Sequence, residues 1–121
     1  MSPLFHLPPR ASALTAVALA SVAFACGPTF EARFHSVETG SERSAVVERL
    51  GAPDRAGWFA FDPAVMGPPE ILHGVVSAGA EVEELTWTRT TARGDSVVFQ
   101  VYAGRDGRVL ATTNHGVGTI F

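Results

Sequence analysis

The chain contains no lysine and only one cysteine. All of its firm positive charge is arginine, and past Arg10 this is scattered at Arg33, Arg43, Arg49, Arg55, Arg89, Arg93, Arg105 and Arg108. With no basic stripe, no arginine cluster interleaved with aromatics and a net charge of -3, the pattern argues against nucleic acid as a partner. A lone cysteine excludes an internal disulfide. The histidines His35, His73 and His115 have no cysteine or carboxylate at i+2 or i+4, so no metal site and no cofactor is expected. Ser41 and Ser44 lack the strand, Gly-x-Ser-x-Gly, helix setting of a serine nucleophile. Gly116-Val117-Gly118 precede no helix, which excludes a phosphate cradle and leaves a frayed tail as the expectation.

A long hydrophobic run is also missing. Ala11 to Ala25 carry no ionisable side chain and follow a start whose charges are Arg10 and the weakly basic His6. At ~1.5 Å per residue this segment spans about two thirds of a ~30 Å hydrocarbon core, so it reads as a secretory leader rather than a permanent span. Ala23-x-Ala25 meets the small-residue rule for ordinary cleavage, and Ala25-Cys26 is similar to a bacterial lipobox. Both frames cut at the same bond. An unpaired thiol at a secreted N-terminus is a liability, which a thioether to diacylglycerol removes, and each buried methylene adds about 0.8 kcal/mol of membrane affinity. Lipidation of Cys26 is the expectation, with ordinary cleavage and a free thiol as the alternative. Gly27, where Asp would retain such a protein at the inner membrane, fits an outer-membrane location facing the periplasm.

What remains is enough for one small domain. Phe30, Phe34 and Val37 share a face if residues 30–38 are helical. Gly40 then breaks the chain, Ser41 is placed to cap a second helix, Val46, Val47 and Leu50 form its buried stripe, and Gly51 and Pro53 stop it. Glu42, Arg43, Glu48 and Arg49 are expected to point outward. Leu85 and Trp87 alternate with Thr86, Thr88 and Thr90, and Val97, Phe99 and Val101 repeat the alternation. With turns at Arg93-Gly94-Asp95 and Gly104-Arg105-Asp106-Gly107 before Val109 and Ala111, this predicts a three-stranded antiparallel meander. A fourth strand is predicted around Trp58-Phe59-Ala60-Phe61, and a Pro- and Gly-rich loop over residues 62–80, with a short strand at residues 71–76. The fold class is therefore α+β, with two N-terminal helices packed on a three- to four-stranded antiparallel sheet.

The stretch holding Gly40, Val46, Leu50, Gly51 and Pro53 resembles the signature of the SmpA/OmlA, or BamE-like, lipoprotein domain: a Gly, a Val six residues on, then Leu-Gly-x-Pro closing a helix. Trp87 and the run Tyr102-Ala103-Gly104-Arg105-Asp106-Gly107-Arg108 are similar to the strands that follow in that family. The resemblance covers nearly all of the chain after the leader. It implies a helix, helix, sheet sandwich also seen in β-lactamase-inhibitor-like proteins. Glu42 stands where the family has a Thr or Ser cap, and the stretch between Pro53 and Trp87 is longer than usual, so the fold transfers and the family's binding residues do not.

The expected organisation is a leader over residues 1–25, a lipidated tether over 26–29, the α+β domain over 30–113 and a tail over 114–121. Glu81 and Glu83 share a strand face, as a paired-carboxylate site would need, but a solvated strand edge explains them as well. Trp58, Phe59 and Phe61 are candidates for a partner-binding aromatic patch, or for plain core packing. No catalytic residue is assigned. The function expected is a non-enzymatic, membrane-anchored interaction module of the cell envelope, held by lipid on Cys26, with an envelope protein rather than a small molecule as partner. A role in outer-membrane assembly or envelope integrity follows from the resemblance alone. An inhibitor-like binder of a periplasmic or extracellular enzyme is the alternative.

Overall fold

The computed structural model describes residues 27–118; residues 1–26, on which the expected leader and Cys26 fall, and residues 119–121 lie outside them. Thr29 opens the first helix, α1 (Phe30–His35), by accepting from the backbone N–H of Ala32 at 3.1 Å. This satisfies one of the amides that a helix start leaves without a partner. The helix ends three residues earlier than its apolar spacing suggests. Ser36 N–H bonds Arg33 and Val37 N–H bonds Phe34, both i to i−3, and these contacts tighten the last turn. Val37 still packs against the core from beyond the helix end.

Helix α2 (Arg43–Leu50) buries Val46 and Leu50. Its predicted cap is not the one used. Ser41 Oγ donates back to the Glu38 carbonyl, and Glu42, the residue at the cap position, makes no side-chain cap bond. The segment is held instead by residues 107–109: Gly40 N–H donates to Val109 O, Val109 N–H to Ser41 O, and Arg43 N–H to Gly107 O, each at 2.8 Å. The backbone carbonyl of Gly107, distant in the chain, thus supplies an acceptor where a serine hydroxyl was expected to provide one. At the other end Gly51 adopts φ 88, ψ 175. That positive φ is one that glycine alone reaches cheaply, and it ends the helix as expected of Gly51.

Four antiparallel strands follow in the order β1-β2-β3-β4: β1 (Arg55–Ala60), β2 (Glu81–Thr90), β3 (Ser96–Ala103) and β4 (Val109–Gly116). The α+β class, the meander and the fourth strand are as predicted, with shifted ends. Strand β2 begins at Glu81, and β4 continues to Gly116, where Val117 N–H still bonds Ser96 O at 3.0 Å. The last glycines therefore include an ordered strand end rather than only a frayed tail beyond Thr113. A bulge between Tyr102 and Ala103 shifts the β3–β4 register, so Val109 and Ala111 fall in different clusters.

Each sheet face has its own cover. On one, Phe34, Val46 and Leu50 from the helices share a buried cluster with Leu85, Trp87, Phe99, Val101 and Val109. Phe34 and Phe30 set their rings 4.8 and 5.1 Å from that of Phe99. The Trp87 indole N–H donates to Gly51 O at 3.1 Å, tying the helix stop to the sheet. On the other face, Phe61 and Leu72 close over Val82, Tyr102 and Ala111. The strand predicted over residues 71–76 is not formed. Pro68–Leu72 is instead a 3-10 helix with proline in its first turn, where a fixed φ and a missing N–H cost nothing, and it buries Leu72.

Candidate functional site

The structure separates the three aromatic candidates. Phe61 is buried in the second cluster, beside His73 at 5.4 Å between ring centroids, which corrects its assignment as a partner-binding residue. Phe59 is half-buried and meets Tyr102 edge-on at 6.1 Å. Of the three, only Trp58 is exposed, 56 % accessible. The strand pairing explains the split. Directly opposed residues share a face, so Phe59 lies with Val82 under the loop and Trp58 lies with Glu83 on the helix side.

Trp58 borders an open groove with Phe59, Ala60, Glu81 and Arg105. At its rim the Arg105 guanidinium bonds the Glu81 carboxylate at 3.0 Å, both side chains being largely solvated. The outer edge of β1 has no strand neighbour among the described residues. Alternate backbone N–H and C=O groups of an edge strand point outward, ready for another chain. The opposite edge differs, because Gly40 to Arg43 bond the start of β4 and Glu42 pairs with Arg108 as an isolated bridge. One edge is guarded and the other is open.

Glu81 and Glu83 share a face as the alternation predicted, yet they do not form a carboxylate pair. Glu81 is exposed and held by Arg105, whereas Glu83 is buried and receives a two-pronged bond from Arg43, Nε to Oε1 at 2.5 Å and Nη2 to Oε2 at 3.2 Å. Arg43, expected to face outward, turns down to the sheet. A buried carboxylate facing a guanidinium in this geometry is structural. Elsewhere on the sheet, burial pushes the Tyr102 hydroxyl above the usual phenol range, and the neighbouring Glu84 carboxylate adds to the shift. Asp54 is shifted the other way, first because its carboxylate accepts the Thr88 N–H at 2.7 Å and then because Arg89 bonds it at 2.9 Å.

Among the described residues no group of three or more His, Cys, Asp or Glu is placed to hold a metal ion, and no helix is long and apolar enough to cross a membrane. No family model, no curated protein and no solved structure matches the chain. The site that the fold itself presents is therefore the β1 edge: an unpaired strand carrying one exposed indole beside a groove.

Proposed function

We propose that the chain is a lipid-anchored interaction module of the bacterial cell envelope, non-enzymatic, with the β1 edge as its docking strand. The observation that carries this reading is the position of Cys26. It closes an apolar leader and lies only Gly27, Pro28 and Thr29 ahead of α1. Three residues reach about 10 Å at most, so a lipid on Cys26 would hold the domain directly against a bilayer. Further support comes from the Gly40 to Pro53 signature, whose Gly51 and Leu50 terminate α2 and fill the core, and from the order of helices before strands. On that resemblance the domain is a BamE-like or β-lactamase-inhibitor-like sandwich, and the location is the outer membrane, facing the periplasm. The inhibitor-like binder is the second reading, favoured by the exposed indole of Trp58.

Intact mass of the protein extracted from its host's membranes tests the anchor. The expected product lacks Met1 to Ala25 and carries diacylglycerol with a further acyl chain, all added mass being lost in Cys26→Ala. Cleavage at the same bond with no added mass refutes the anchored reading and leaves a secreted binder.

A further inference from the structure

We propose that the anchored domain stands on the bilayer on the end formed by the first turn of α1 and the turn between β2 and β3 (residues 91–95). Strand β1 then runs outward along the membrane normal and meets its partner in the aqueous space, clear of the lipid. This inference rests on the lipid-anchored reading and adds which surface faces the membrane and what kind of partner β1 can take.

The tether leaves from this end. Phe30 lies 5.1 Å from the Phe99 ring and 4.9 Å from the Arg89 guanidinium, and Thr29, Phe30 and Glu31 line one groove with Arg89 and residues 90–92. The start of α1 is thus beside the β2–β3 turn, which Thr91 N–H closes on Asp95 O at 2.8 Å. Arg33 Nη1 donates to Pro28 O at 2.7 Å and holds the tether there. With ~10 Å of chain at most between Thr29 and Cys26, the lipid stays close to this end. The loop over residues 61–80 covers the other sheet face from α1, and a tether this short does not carry that face round to the membrane.

Charge separates the same end from the rest of the domain. Glu31, Asp54 and Asp95 lie at it beside Arg33, Arg89 and Arg93, with Asp54 and Arg89 paired at 2.9 Å, so the end is neutral. The other nine carboxylates outnumber the other five arginines of the described residues, which leaves all of the net negative charge on the remainder. A bilayer bearing anionic lipid repels negative charge that comes within about one Debye length, ~8–10 Å. Lying on the helices would bring the exposed Glu38, Glu42 and Glu48 that close, whereas standing on the neutral end keeps the acidic part away.

The sheet then sets the height of the docking strand. From Thr91 back to Glu81 strand β2 climbs about 30 Å, and β1 pairs with its outer part, from Arg55 opposite Thr86 to Ala60 opposite Glu81. Trp58, opposite Glu83, stands about 25 Å from the turn. A segment buried in the bilayer cannot reach it. The partner this placement fits is an extended segment of a protein in the aqueous compartment, lying along the free edge of β1.

Thiol labelling on vesicles tests the pose. The protein is isolated from its host's membranes, its mass is checked for lipid on Cys26, and it is added to preformed vesicles of phosphatidylcholine with about one fifth phosphatidylserine. Three variants each bear one new thiol at an exposed position: Ala92→Cys in the turn, Ser44→Cys on the outer side of α2 and Ala60→Cys on β1. The thioether at Cys26 leaves that thiol as the reactive one. Its labelling rate with a long polyethylene glycol maleimide, divided by that with N-ethylmaleimide, measures crowding apart from thiol reactivity. With about 30 Å between the turn and the end of β1, the ratio at Ala92→Cys should be at least about fivefold below the other two. Full-length Cys26→Ala bearing the same thiols should give equal ratios in solution. Three equal ratios on vesicles, a lowest ratio at Ser44→Cys or Ala60→Cys, or the same pattern in solution overturns the pose while the mass leaves the anchor standing. A mass without lipid refutes the anchor and the pose together, so the two failures are told apart.

Discussion

Replacing Arg43 by alanine strands a carboxylate. The Glu83 side chain is 10 % exposed and that of Arg43 38 %, and the strand neighbours directly opposite Glu83 are Trp58 and Ala103, neither a donor through its side chain to a carboxylate at hydrogen-bond length in this structure. Removing one partner of a fully buried pair costs about 3–5 kcal/mol. Because the arginine end is more than a third open to water, solvent screens part of the loss, and the expected destabilisation is about 2–3 kcal/mol. For a domain of this size 1 kcal/mol corresponds to roughly 4–8 °C at the midpoint, so the melting temperature should fall by about 10–20 °C. Urea unfolding followed by tryptophan fluorescence, whose change comes mainly from exposing the buried Trp87 because Trp58 is already open to solvent, measures the loss directly, provided the slope of the transition is unchanged. The decisive companion is Arg43→Met/Glu83→Leu, which removes both charges and keeps the volume; it should lie within about 1 kcal/mol of the parent. A loss below about 1 kcal/mol in Arg43→Ala, or a double variant as damaged as the single one, would refute the argument that an unpaired charge is what costs.

Two further outcomes follow from displaced titrations. The Asp54 carboxylate is held below the ordinary aspartate value of 3.8 by the Thr88 amide and Arg89; its contribution is complete above that value and disappears as pH falls through the lowered one. Asp54→Asn should therefore cost less than about 1 kcal/mol at pH 7, because the pair is exposed, and the gap to the parent should narrow as pH falls through the lowered value in parallel denaturation curves; a pH-independent gap would rule the linkage out. Tyr102 is the only tyrosine, so absorbance near 295 nm reports its ionisation alone. The folded protein keeps a phenol proton that the unfolded chain releases near the ordinary tyrosine value of 10.0, so stability falls as pH rises past that value, and the phenolate signal should appear together with unfolding. Ionisation near pH 10 with the near-ultraviolet circular dichroism of the fold intact would contradict the burial argument.

The elements that sequence revealed best were those with agreeing local and periodic signals. Val46 and Leu50 between Gly40 and Gly51-Ala52-Pro53 specify a helix with both ends marked, and the period-two runs at Leu85 to Thr90 and Val97 to Val101 specify strands with one apolar face. What stayed hidden depended on long-range partners. Nothing in the Ser41-Glu42-Arg43 tripeptide says that its backbone bonds Val109 and Gly107, some 65 residues on, or that Arg43 turns inward to Glu83. The Trp58-Phe59-Ala60-Phe61 run showed its composition but not its parity. Only the pairing with β2 decides that Phe59 goes under the loop and Trp58 to the open side.

The exposure of Trp58 is a consequence of how the two covers are arranged. The helices place their buried residues over β2, β3 and β4, and the loop through Pro68–Leu72 reaches across the other face to pack against β4. Among the apolar residues of β1 only Phe59 joins either cluster. A strand left outside both layers keeps its place through its ladder with β2 and the bonds at its ends, where Asp54 N–H meets Thr86 O and Phe61 N–H meets Ala80 O, each at 2.8 Å. Such a strand gains from a partner on its free side what the core does not provide, and a large indole in the middle of that strand is misplaced for solvent but suited to an interface. If β1 were merely a marginal edge, Trp58→Lys would stabilise or leave unchanged the isolated domain while altering nothing else. If it is a docking strand, the same substitution leaves folding unchanged and abolishes association, because the cost of the exposed indole falls on the free protein and its benefit appears only in the complex.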